Sequence, residues 1–300
     1  MKKQYLFIGG IPRSGTTLVQ RCLVAHSKII GGPEFDHLPA IVNLYRSLKD
    51  GLITGRQSFF YTDQQARDSI SNLIDELLQN PVAISDAEVI YLSEKTPSNL
   101  AVMSDLLDLF PNAQAIIVVR HPLDVLGSMW KVRNKYCEKG ENPPSFLNSA
   151  VHTCEMMVKY WRFATNLYGN DRVTFIKYEE LTNNPESVLK SIVKSIGLEY
   201  EDSVSNPPPI MTVDKQSNNH DCWITDKHNS KIVTSYSASE LPSWWRYLAI
   251  RSLREIELIK TFGYSLEYKN SRLTILPWLV MHKIRTKILK DPNFFIHYFD

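Results

Sequence analysis

The chain is poor in the features that most quickly narrow a sequence's meaning. Only 4 cysteines occur in 300 residues, at Cys22, Cys137, Cys154 and Cys222, with no C-x-x-C spacing. That scatter excludes a disulfide framework or a zinc knuckle as the organising device and predicts reduced thiols. His220 beside Cys222 is an isolated near-pair and reads as incidental, so no metal site is expected. Neither sign of charge dominates: 34 Lys and Arg against 32 Asp and Glu leave a net charge of +2. The basic residues are dispersed and not interleaved with aromatics along one face, so nucleic acid is not an expected partner. No internal repeat or low-complexity tract occurs. No apolar run reaches the roughly 20 residues of a membrane span. With the first strand expected at about residue 5, no room remains for a leader peptide or anchor ahead of it. A cytoplasmic location is the expectation.

What is present is concentrated near the start. Leu6-Phe7-Ile8-Gly9-Gly10 is a run of strand formers that ends in glycines. Ile11-Pro12-Arg13-Ser14-Gly15-Thr16-Thr17-Leu18 then opens a helix. A strand, a loop and a helix N-terminus together present backbone N–H groups and a positive dipole end to an anion. Gly10, Gly15 and Thr17 are in register with the triphosphate-binding loop G-x-x-x-x-G-K-[ST], but Thr16 stands where the lysine belongs. The loop's only cation is Arg13. Lysine and Mg²⁺ neutralise the crowded charge of a triphosphate. A sulfuryl group carries one negative charge where a terminal phosphoryl carries about two, so a phosphosulfate needs less of that apparatus.

A second segment agrees. Residues 113–119 form an almost wholly apolar run, as expected of a parallel strand buried on both faces. Arg120 follows, then His121-Pro122, with Pro122 suited to a first helical turn and Ser128 two turns further on. Arg120 at a strand's carboxyl end and Ser128 can converge on one phosphate, since ligands of open α/β sheets lie beyond those ends.

Pro12-Arg13-Ser14-Gly15-Thr16-Thr17, with Arg120 and Ser128 eight residues later, resembles the two donor-binding motifs of sulfotransferases. These enzymes use 3′-phosphoadenosine 5′-phosphosulfate (PAPS) as sulfuryl donor. Ser93-Glu94-Lys95-Thr96-Pro97 is similar to the lysine-bearing segment of the branch that contains tyrosylprotein sulfotransferases and many bacterial relatives. Phe175-Ile176-Lys177-Tyr178-Glu179-Glu180-Leu181 matches a third landmark, including a tyrosine near the bound nucleotide. The landmarks span roughly residues 5 to 200, and Trp244 to Tyr264 resembles the family's last helix.

The resemblance implies roles. Arg13, Ser14, Gly15, Thr16 and Thr17 would hold the 5′-phosphosulfate, Arg120 and Ser128 the 3′-phosphate, and Tyr178 would lie near the nucleotide. Arg13 would also stabilise the transition state. The tyrosylprotein branch places its glutamate base twenty-one residues after the loop arginine, and that count from Arg13 reaches Glu34. Asp36 and His37 stand as alternatives, since other branches use histidine. Lys95 would bring an ammonium to the donor's bridging oxygen, held in place by Thr96 and Pro97 as Ncap and N1 of the next helix. No metal is implied. The acceptor would be a hydroxyl on a glycan, lipid, small metabolite or peptide tyrosine. A kinase or NTPase with a degenerate loop, or a catalytically silent nucleotide-binding relative, are the competing classes.

One departure from the branch stands out. Its nucleotide-closing lysine lies about ten residues ahead of a tryptophan, but counting back from Trp244 or Trp245 reaches Thr234 or Ser235. Lys227 and Lys231 are nearby, within a polar stretch, roughly 206–239, that is a candidate lid.

The expected fold class is α/β, a P-loop-NTPase-like doubly wound parallel sheet flanked by helices. Strands are expected near 5–9, 89–94, 113–119 and 172–178. Helices are expected near 17–26, 63–79, 98–110, 145–168, 185–196 and 240–261. Residues 1–270 are expected to form a single sulfotransferase domain. Residues 271–300 form an extension: an apolar segment, 273–281, interrupted by Pro277, and a basic stretch, 283–290. Packing on the domain or on a second subunit, as in a homodimer, is preferred over contact with a membrane surface.

Overall fold

A computed structural model describes residues 3–79, 88–207, 222–223 and 238–267. Lys227, Lys231, His220 and the extension at 271–300 lie outside the described residues. The described chain divides into two compact units, the second beginning at Arg120 and the first resuming at Asn166.

The first unit is built on five parallel strands in the order β2-β3-β1-β4-β5. They are β1 (Gln4–Gly10), β2 (Ile29–Gly31), β3 (Tyr91–Lys95), β4 (Gln114–Val119) and β5 (Val173–Lys177). Four of the five match the expected strands. The fifth, β2, is three residues long and pairs with β3, Gly31 lying beside Ser93. The connections diverge on either side of β1, which pairs with β3 through Ile8 and Lys95 and with β4 through Gly10 and Val118. The carboxyl end of β1 is therefore a switch point, the place where such sheets bind ligands.

Alternation along β1 supplies both faces. Leu6 and Ile8 join Ile116, Val118 and Ile176 in one cluster. Against it pack Val19 and Leu23 of α1 (Thr16–Leu23) and Leu189, Ile192 and Val193 of α8 (Pro185–Ser195). Tyr5 and Phe7, pointing the other way, stack at 5.2 Å, and Phe110 meets Tyr5 edge-on at 4.7 Å. Leu6, Phe7 and Ile8 have no solvent exposure. Burying each contributes about 1.5–3 kcal/mol, which fixes β1 at the centre.

The first unit also holds α2 (Leu38–Ile53), a helix beyond those expected, and α3 (Asp63–Leu78), begun by a Thr62–Gln65 capping box. The expected helix at 98–110 is two pieces: a 3-10 turn, Pro97–Val102, and then α4 (Met103–Leu109). Thr96 precedes the turn but makes no capping bond. A short α7 (Tyr178–Asn183) leads into α8.

The second unit contains α5 (Pro122–Glu138), α9 (Ser243–Leu253), α10 (Glu257–Thr261) and most of α6 (Ala150–Leu167). Pro122 opens α5 as expected, with His121 Nδ1 accepting the Leu123 N–H at 3.3 Å. His121 Nε2 lies 3.2 Å from the Ser265 carbonyl oxygen. The expected helix at 145–168 starts as a separate 3-10 turn, Ser145–Leu147. The one expected at 240–261 is interrupted, Ile256 being extended at φ −82° and ψ 107°. Trp161 and Trp245 are buried here, and Trp130 meets Trp245 at 5.0 Å. All four cysteines are free thiols, with Cys137 exposed and the others buried.

Glycine at position 10 is required by close approach. A Cβ there would lie 2.6 Å from Ser14 Oγ and 2.7 Å from the Val118 carbonyl oxygen. At Gly32 a Cβ meets nothing within 4 Å. Gly10→Ala should therefore cost about 1–3 kcal/mol of unfolding free energy, and Gly32→Ala should change it by less than about 1 kcal/mol. Urea unfolding of both variants checks this; equal losses would show that the contact at Gly10 is slack.

Candidate active site

The loop after β1 is shaped as an anion cradle by its backbone. Ser14 N–H closes a turn on the Ile11 carbonyl at 2.9 Å. Arg13 and Gly15 take positive φ, 74° and 109°, so successive amides turn inward as in an anion nest. Arg13 is the only non-glycine residue with positive φ among those described, a strained state usually kept where geometry serves a site. The N-terminus of α1 carries no side-chain cap and no acidic residue in its first turn, which leaves its dipole end unneutralised. Ser14 is fully buried and its Oγ has no hydrogen-bond partner. A buried hydroxyl of this kind is costly unless a ligand satisfies it. These three features fit a bound phosphate or sulfate group. Thr16 is 4% exposed, its methyl packed toward Gly10.

Tyr178, the first residue of α7, closes one side of the cradle. A Cβ on Gly15 would lie 2.5 Å from the Tyr178 ring, so the ring rests directly on the loop. The tyrosine expected near the nucleotide is thus at the loop itself.

Glu34 and Lys95, sixty-one residues apart, are joined in an ion pair. Lys95 Nζ also donates to Thr17 Oγ1 at 3.3 Å. Lys95 ends β3 beside Ile8 of β1 and is 5% exposed. The chain leaving β2 must pass that strand end, and Glu34 arrives there three residues after Gly31. An ammonium has three donors; two are engaged, and the third is available to a ligand. The Glu34 side chain is 35% exposed, open to a second reactant. Of the alternatives, Asp36 is exposed, and His37 lies edge-on to Phe35 at 5.3 Å.

Glu94 was part of a recognised motif, yet its own part in the site was not foreseen. It is 4% exposed. Its Oε1 accepts from the Phe35 backbone N–H at 3.1 Å and from Thr96 Oγ1 at 2.6 Å, and Oε2 accepts from Asn99 Nδ2. The Thr96 hydroxyl expected to cap a helix is thus spent on this carboxylate. The 3-10 winding of Pro97–Val102 accompanies the placement of Asn99 on it. Nothing in spacing or composition separates such a glutamate from a solvated one.

In the second unit, Arg120 directly follows β4 and is 5% exposed, and Ser128 lies within α5 at 8%. Neighbouring Asp124 accepts the Ala238 N–H at 3.0 Å, which ties α5 to the start of the last helical segment.

Burial, the largest influence, pushes the Glu94 carboxyl up from 4.5 to about 7, and the Glu34 carboxylate adds to the rise. The Thr96 hydroxyl, the Phe35 N–H and the Lys95 charge pull it down. Between those values the folded chain keeps a proton that the unfolded chain has released, so stability falls as pH rises through the window. Relative to Glu94→Gln, which does not titrate, the wild type should lose on the order of 3 kcal/mol across it. Urea unfolding of both proteins on either side of the window measures this. A pH-independent difference would mean that Glu94 titrates alike in both states.

Comparison with known proteins follows the same lines. The protein-tyrosine sulfotransferase of Drosophila melanogaster is 27% identical over 211 residues, covering 66% of this chain and 39% of that protein. Protein-tyrosine sulfotransferase 2 of Gallus gallus is 26% identical over 206 residues, covering 66% and 52%. The chain thus spans about two fifths to one half of the length of these relatives. A mouse sulfotransferase crystallised with PAP superimposes with a TM-score of 0.51 at 13% identity, covering 88% of this chain and 89% of that one. It shares the fold. A model of the sulfotransferase family matches residues 5–202, and on that match the chain belongs to the sulfotransferase family.

Proposed function

We propose that the chain transfers a sulfuryl group from PAPS to a hydroxyl acceptor, with Glu34 as the base. The observation that carries the reading is the Glu34–Lys95–Thr17 constellation at the edge of the β1 loop. Family membership and the anion fit of the loop support it.

PAPS supplies an activated sulfuryl group on a phosphate leaving group. The chain's residues do the rest. The amides of Arg13 to Thr17, the Ser14 hydroxyl and the Arg13 guanidinium bind and orient the 5′ end. Tyr178 shields the loop from one side. The free donor of Lys95 is aimed at the oxygen on which negative charge develops. Glu34 receives the acceptor's proton as the new S–O bond forms and the old one breaks. Arg120 and Ser128 are assigned the 3′-phosphate.

Adenosine 3′,5′-bisphosphate (PAP) should raise the melting temperature without added metal, and by more than ATP with Mg²⁺ does. Stabilisation by ATP–Mg²⁺ alone would end this reading. Glu34→Gln should keep the wild-type Kd for PAP and lose turnover with PAPS and p-nitrophenol, and Lys95→Ala should lower kcat about 10²- to 10³-fold. Arg120→Ala should weaken PAP far more than adenosine 5′-phosphate. Equal weakening of both nucleotides would remove Arg120 from the 3′-phosphate.

A further inference from the structure

We propose that Glu94 is a positioning residue that grips the backbone beside Glu34 and so aims the Glu34 carboxylate at Lys95. Its consequence for turnover rests on Glu34 being the base; the positioning itself does not.

The segment that carries Glu34 has little of its own to hold it. Gly32, Pro33 and Glu34 are exposed, and Gly32 has open space where a Cβ would be. Two side chains from outside bond its backbone, one on each side of Glu34. Gln20 Nε2 of α1 donates to the Gly32 carbonyl at 3.2 Å, and Glu94 accepts the Phe35 N–H at 3.1 Å. Consecutive residues of a strand point to opposite faces. The end of β3 therefore takes hold of the passing chain twice, Lys95 through the Glu34 side chain and Glu94 through the next peptide.

Charge alone would act against this arrangement, because two carboxylates repel and Glu94 is buried where an ion is costly. The hydrogen bonds decide the outcome. Thr96 and Asn99 fix both oxygens of Glu94, so Oε1 presents a rigid acceptor to Phe35. The grip also survives a change of protonation state. Asn99 Oδ1 is buried without a partner, and a turned Asn99 amide offers it to a proton on Oε2 while Oε1 still receives the Phe35 N–H. Glutamine at 94 meets the same demand; alanine does not. Aspartate keeps the charge but, one methylene shorter, withdraws the acceptor.

The test is amide hydrogen exchange of the full chain, followed by NMR on ¹⁵N-labelled protein. In Glu94→Ala and Glu94→Asp the Phe35 amide should exchange at least tenfold faster than in the wild type, with the β1 and β4 amides unchanged. Glu94→Gln should restore protection. Where Glu94→Ala fails to fold, Glu94→Asp carries the test. Wild-type exchange at Phe35 in Glu94→Asp, or acceleration spread equally over β1 and β4, overturns the proposal. Alongside, kcat for sulfuryl transfer from PAPS to p-nitrophenol should fall about 10²-fold in Glu94→Asp, with the Kd for PAP unchanged and kcat recovered in Glu94→Gln. Faster exchange at Phe35 with an undiminished kcat supports the positioning and removes Glu34 from the base role.

Discussion

A lysine ammonium sealed into the end of a central strand is the constraint around which this site is organised. Lys95 is 5% exposed, and an uncompensated charge at such depth costs several kcal/mol. Its partners must come from elsewhere in the chain, and the sheet supplies them by register. Ile8 lies opposite Lys95, so the loop after β1 and its first helical turn rise beside the ammonium, and Thr17 meets it. Gly31 lies opposite Ser93, so the chain leaving β2 overtakes Lys95 within a few residues and delivers Glu34. Neither contact is local in sequence. Both follow from parallel strands whose carboxyl ends lie within a few residues of one another in register.

The same geometry explains why the loop can do without a lysine of its own. Thr16 is buried, its methyl turned back toward Gly10, and a long charged side chain has no place in that packing. The missing charge reappears one strand away, on Lys95, which reaches the loop through the neighbouring Thr17. Moving the cation from the loop to β3 brings it within reach of a carboxylate that arrives from the other side. A triphosphate loop binds charge; this one sets a cation between an anion cradle and a carboxylate.

Much of this was legible because it is written in strong local signals. β1 and β4 are apolar runs bounded by glycine or a turn, the pattern expected of parallel strands buried on both faces. Glu34 and Lys95 were each reached by family resemblance, but their pairing was not, since nothing in the sequence links positions sixty-one residues apart. The elements missed were those with weak signals. β2 has three residues, and α2 buries only Leu38, Val42 and Tyr45 along sixteen. The residues misassigned were those whose local preference yields to a tertiary demand. Thr96 followed by proline looks like a helix cap, yet its hydroxyl is drawn to a buried carboxylate that no capping rule anticipates. The interruption near Ile256 has no proline or glycine to announce it.

Two glutamates flank the one lysine, and their surroundings decide which of them can do chemistry. Glu94 has both oxygens occupied by donors from the chain and 4% exposure, so a substrate hydroxyl cannot reach it without breaking those bonds. Glu34 spends one oxygen on Lys95 and keeps a side chain that is 35% exposed. A proton-accepting group must combine hydrogen-bond reach to its substrate with a fixed orientation. A single exposed glutamate on a glycine-proline turn has the reach but not the orientation, whereas a buried one has the orientation but not the reach. On the proposed assignment the two divide these requirements: Thr96 and Asn99 hold Glu94 in place, and the peptide bond between Glu34 and Phe35 passes that hold to the more exposed carboxylate. Different surroundings let one site give two carboxyl groups different work. Here the buried member keeps the exposed one in place.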